Sequence, residues 1–170
     1  MTTIQKRNPM TPPSSHPRSL LITILLTGLL VGTLDAIAAV VQFIIPTWRN
    51  PVRIFEYIAS GVFGTNAFSG GPIMAVIGLL FHYFIATAWT SLFFTLYPRI
   101  PWLAKYRVAG GLVYGVFIWL MMNLVILPLS NVPHSPIRVS GAAIGMVILM
   151  IIVGLPVSFR AHRYYSKFKI

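Results

Sequence analysis

LLITILLTGLLVGTLDAIAAVVQFIIP, residues 20–46, is the stretch that decides the fold. Only Thr23, Thr27, Thr33, Asp35 and Gln42 interrupt it, and it exceeds the roughly 20 apolar residues a helix needs to cross a bilayer. A secretory signal is the rival reading, because Lys6, Arg7 and Arg18 precede the run and Ala36-Ile37-Ala38 imitates a cleavage site. Signal cores of about 7 to 15 residues are shorter than this stretch, so a first span over 20–46 is expected.

Three more apolar runs follow, at 72–97, 109–129 and 139–159; Pro128 and the Asn131/Pro133/Pro136 cluster close the third. None alternates with period two, and all are too long for barrel strands of about 10 residues, so helices are the only spanning structure left. The fold class is therefore all-α: an integral membrane bundle of four transmembrane helices. Composition agrees. The 170 residues are 56% hydrophobic and 9% charged, whereas soluble domains run near a quarter charged.

Cysteine is absent, which removes disulfides, thiolate metal sites and cysteine nucleophiles together. The formal charge of +11 comes from basic residues scattered through tails and loops, without the stripe or groove that phosphate recognition uses. Nucleic acid is not an expected partner; the lipid bilayer is. Placing both tails and the middle loop on one side gathers Lys6, Arg7, Arg18, Arg99, Lys105, Arg107, Arg160, Arg163, Lys167 and Lys169, against Arg49, Arg53 and Arg138 opposite. Such a bias puts both termini in the cytoplasm. Tyr97, Trp102, Tyr106, Tyr164 and Tyr165 on that side, with Trp48 and Tyr57 on the other, read as interfacial anchors.

Residues 1–19 carry four prolines and few apolar side chains, a composition expected to stay disordered, and 160–170 form a basic cytoplasmic tail. The link from 47 to 71 is more structured. Asn50-Pro51 can start an interfacial helix there, with Val52, Phe55, Ile58, Ala59 and Val62 on one face. Arg53 and Glu56, three apart on the other, are spaced to pair. A lid over a cavity between the spans is the alternative use of this segment.

Gly28 and Gly32, Gly111 and Gly115, and Gly141 and Gly145 each stand four apart. In lipid, where helices gain little by hiding apolar surface from one another, such flat faces let backbones approach. They predict a tight bundle, a homo-oligomer, or association with other membrane subunits.

Asp35 is the one acidic residue inside a span. An ionised carboxylate at that depth costs about 2.5 to 3.5 kcal/mol, so it must be protonated, paired or turned to a wet cavity. Counting helical rise of ~1.5 Å per residue, Asp35 lies about 16 Å below Pro46 and His82 about 15 Å below Pro72. The depths match. Gln42 and Asn123 fall nearer the outer surface. These four residues either form an outward polar pocket for a proton or small solute, or fix helix register through interhelical hydrogen bonds worth ~0.6 to 2 kcal/mol each.

For an enzyme, paired carboxylates, zinc-type histidine spacing, a phosphate-cradling glycine loop and a serine elbow are all missing, and His16, His134 and His162 fall in tails or loops. No catalytic activity, metal or cofactor is expected.

Tyr97-Pro98-Arg99-Ile100, Ala109-Gly110-Gly111-Leu112 and Leu127-Pro128-Leu129 resemble the second half of the YagU-like bacterial inner-membrane proteins, a family of unknown function. Gly32-Thr33-Leu34-Asp35-Ala36, Phe55-Glu56-Tyr57-Ile58-Ala59-Ser60-Gly61 and Leu80-Phe81-His82-Tyr83 are similar to motifs of small bacterial membrane proteins. The resemblance, over most of 28–136, implies four spans and a bacterial inner-membrane location, and brings no site residues. The expected role is a structural or accessory membrane subunit; the alternative is a small transporter or proton-handling protein using Asp35, His82, Gln42 and Asn123.

Overall fold

The computed structural model describes residues 17–133 and 139–167. Of the tail expected to be disordered over 1–19, residues 17–19 are helical instead, while 1–16, together with His134, Arg138 and Lys169, lie outside the described residues. Those described are helical almost throughout, without strands: α1 (Pro17–Thr47), α2 (Val52–Phe63), α3 (Gly71–Leu96), α4 (Pro101–Lys105), α5 (Arg107–Met121), α6 (Leu127–Leu129), α7 (Val139–Ile148) and α8 (Leu155–Ser166). Among the described residues four helices are long and apolar enough to cross a membrane: Ser19–Thr47, Gly71–Arg99, Arg107–Leu129 and Gly141–Ser166. The fourth runs on to Ser166 rather than ending near 159, so most of the expected tail is helix.

α5 continues into α6, and α7 into α8, through π-helical turns at Met122–Ile126 and Leu149–Gly154. Each precedes a proline. Pro128 and Pro156 carry no N–H, so the carbonyls four residues earlier lose their usual partner. The chain widens instead: Leu127 and Leu155 donate to Met122 and Met150, five residues back. Pro128 thus bends the bonding pattern without ending the helix.

Successive long helices run antiparallel. Gly28 faces Thr87 and Gly32 faces Tyr83 and Ala86; Gly111 faces Gly154 and Gly115 faces Met150. Ser19 lies 3.3 Å from the Tyr164 hydroxyl, so both described chain ends meet at one end of the bundle, here called the terminal end. α1 packs along α3, α5 packs along 149–154 and α8, and α1 also meets that second pair.

Two of the three glycine pairs are therefore spent inside the chain. A Cβ on Gly28 would stand 2.9 Å from the Thr87 Cα, and one on Gly111 2.8 Å from the Gly154 carbonyl oxygen. The third pair does not pack this way: a Cβ on Gly141 would meet nothing within 4 Å, and one on Gly145 only the Trp119 indole nitrogen, at 3.7 Å.

The core is concentrated at the terminal end. Phe93, Phe94, Tyr97, Tyr114, Val157, Ala161, Tyr164 and Tyr165 belong to one buried cluster. Tyr97, Tyr164 and Tyr165, expected as interfacial anchors, are 4%, 8% and 8% exposed, whereas Trp48, Trp102 and Tyr106 do stand outward. A backbone defect explains Tyr165. Pro98 cannot donate to the Phe94 carbonyl, and the Tyr165 hydroxyl donates to it instead, at 2.7 Å. Tyr97 stacks on Tyr165, rings 5.3 Å apart, and its hydroxyl lies 2.7 Å from His162 Nδ1, so His162 has a partner that its place in an expected tail gave no hint of.

Candidate functional site: a chamber at the loop end

The opposite end carries α2 and the turns around it. Trp48, in a left-handed conformation with φ of 52°, ends the run of α1; the Asn50 side chain then accepts from the Val52 N–H at 3.0 Å and starts α2. α2 lies across α3, where Gly78 has no side chain and the Phe55 carbonyl and Ala59 amide occupy the space a Cβ would take. Gly64, with φ of 60° and ψ of −147°, supplies a backbone conformation open only to glycine and begins the return to α3. The end of α2 is tied down. Asn131 donates from its backbone to Gly61 O and from its side chain to Val62 O, both at 3.0 Å.

The faces of α2 are not those its spacing suggested. Glu56, Ala59 and Ser60 form the buried side, while Val52 and Val62 are exposed. Glu56 does meet Arg53, at 3.5 Å, but the arginine is outside and the carboxylate inside. Its Oε2 atom makes no hydrogen bond.

Beneath α2 the helices part around a cavity of about 560 Å³. All four residues expected to form the intramembrane polar set line it: Asp35 and Gln42 from α1, His82 from α3 and Asn123 from the π turn after α5. Apolar and aromatic walls complete it, with Trp89, Trp119, Ile148 and Val153 among them and Ile54, Phe55, Tyr57 and Ile58 of α2 overhead. Gly141 and Gly145 line it too, which accounts for their open surroundings. A volume of this order, largely apolar with a few convergent polar groups, is typical of small-molecule sites.

Asp35 and His82, matched in depth, are within electrostatic reach of each other without a direct ion pair. His82 Nε2 instead lies 2.7 Å from the Gly32 carbonyl. The Gln42 amide donates to Gly141 O at 3.3 Å and the Asn123 amide to Trp119 O at 2.9 Å. These bonds cross between helices in two cases, α3 to α1 and α1 to α7, so the polar set also fixes helix positions.

A second hollow, about 880 Å³, opens beside the first and shares Ala39, Gln42, Ile54 and Tyr57 with it. Arg49, Asn50 and Arg53 rim this vestibule. Burial raises the Tyr57 hydroxyl, on the shared wall, above the ordinary phenol range, so it stays protonated. Among the described residues no three histidine, cysteine or acidic side chains converge as a metal site would need. The glycine crossing at Gly78, the π turns and the donors of Asn131 escaped the sequence reading; only the position of Pro128 and Pro156 signalled the second of these.

No protein-family model, curated protein or solved structure matches the chain.

Proposed function

We propose that the four long helices cross a membrane and that the chamber under α2 receives a small solute from the non-cytoplasmic side. What carries this reading is that Asp35, Gln42, His82 and Asn123, drawn from three different spans, border one cavity that shares a wall with a second hollow at the loop end. The outward surface supports the membrane: Leu21, Leu25, Leu29, Ile37, Val76, Leu80, Phe84, Val113 and Ile151 on four helices are each about half exposed or more, an amount of bare apolar surface that a lipid solvent explains. At the terminal end Arg99, Lys105, Arg107, Arg160, Arg163 and Lys167 are exposed, against Arg49 and Arg53 at the other, which supports a cytoplasmic placement of both termini. A bacterial inner membrane follows from the YagU-like resemblance.

Solute handling, as a small transporter or binding protein, is favoured here over an accessory subunit. Two of the three small-residue faces that would serve association are already covered within the chain. The absence of cysteine allows a direct test. Ala142→Cys places a single thiol in the chamber and Ala161→Cys one in the packed core. In native vesicles, a small membrane-impermeant thiol reagent added outside should modify the first and not the second. An inert thiol at 142, in a chain that is still folded by size-exclusion in detergent, would defeat the reading.

A further inference from the structure

The ligand of this chamber can be read from which hydrogen-bonding atoms are left over, an inference that rests on the solute-handling reading above. A backbone carbonyl only accepts, so each polar side chain bonded to one must present its N–H there. His82 therefore spends its Nε2 proton on Gly32, Gln42 its amide on Gly141, and Asn123 its amide on Trp119. What remains for a ligand is the Asp35 carboxyl, Gln42 Oε1 and Asn123 Oδ1 with one amide N–H beside each, and, in the neutral ring, His82 Nδ1. Besides those amide N–H groups, the donors on the lining are the Tyr57 hydroxyl and the indole N–H groups of Trp89 and Trp119; only Asp35 can supply a full negative charge. Among the described residues of the lining, Asp35 is the sole acidic or basic side chain, histidine aside.

We infer that the chamber binds a lipophilic amine as its ammonium form, with the N–H groups on Asp35 and the neighbouring acceptors and the hydrocarbon part against the apolar walls. A protonated amine is all donor and can form with Asp35 the direct ion pair that His82, turned to Gly32, does not make; the indole faces add a further attraction for cations. Arg49 and Arg53 at the vestibule repel inorganic cations, which cannot shed their charge. An amine can pass them as the free base. On arrival its nitrogen lone pair takes the proton of the Asp35 carboxyl, forming the new N–H bond and leaving the carboxylate as counter-ion.

Protection of the 142 thiol tests this in vesicles carrying Ala142→Cys. Octylamine should slow its modification at least about tenfold, the size of one charge-assisted hydrogen bond. Octyltrimethylammonium, a cation without N–H, and octanol, uncharged, should slow it less than about twofold. With Asp35→Asn protection should vanish, and with Asp35→Glu it should persist. Equal protection by the trimethyl compound would overturn the donor requirement, and undiminished protection in Asp35→Asn would overturn the role of the carboxylate. A thiol that reacts freely and that octylamine does not shield would sink the ligand class alone; a thiol that never reacts would sink the chamber as well.

Discussion

The two ends of this bundle are made from the same four helices and differ in what fills them. At the terminal end, aromatic rings and touching glycine backbones pack closely: Phe93 and Phe94 are each 1% exposed, and Gly154 lies against Gly111. At the loop end the helices diverge around a cavity of about 560 Å³ where His82, Gln42 and Asn123 are bonded to backbone. The lesson is that helix composition did not decide which end would be solid. The difference comes from where the large rings fall and from which glycines meet another backbone.

Gly154→Ala should show the largest effect. Its methyl would press on the Gly111 carbonyl, and overpacking costs about 1 to 3 kcal/mol, or more where backbone meets backbone, against a gain of up to ~1 from the better helix former. Thermal unfolding in detergent should show a clear loss for this variant. A wild-type melting curve would mean that the terminal end is looser than its contacts indicate.

Tyr165→Phe comes next. It removes the hydroxyl that satisfies the Phe94 carbonyl opposite Pro98, and a stranded buried acceptor costs about 1 to 3 kcal/mol. The effect should be independent of chamber labelling at position 142, since the two sites lie at opposite ends. Loss of labelling along with stability would show that the two ends fold as one unit.

Gly141→Ala should do least. Nothing stands within 4 Å of its added methyl, so the change should be neutral or stabilise by up to ~1 kcal/mol through helix propensity. A strong loss of stability, read in the same melt, would mean that the wall of the chamber is closed by something packed against it, and the contrast between the two ends would be lost.

Much of the fold could be read from residue order, because bilayer thickness ties helix length to sequence directly. The site was legible to the extent that depth is additive along a helix: counting from Pro46 and Pro72 placed Asp35 and His82 at one level, and they do border one cavity. Rotation about each helix axis is not additive in that way. Glu56 shows this, since spacing alone set it opposite the apolar face of α2, and the crossing over Gly78 turned it inward. The inward tyrosines show it again. Their belt-like positions and their burial differ only by which way the helix is turned, and Tyr165 is turned by a carbonyl that Pro98 leaves vacant.

The bonds from Asn131 to the last turn of α2 reach across 69 residues for the side chain. They make the segment between a closed ring, fastened by the peptide chain along one path and by two hydrogen bonds at the clasp. A protease cut within 64–70 would open the covalent path and leave the clasp, so the roof of the chamber would stay joined to the third long helix by non-covalent means. Severing and anchoring are thus separable in this protein.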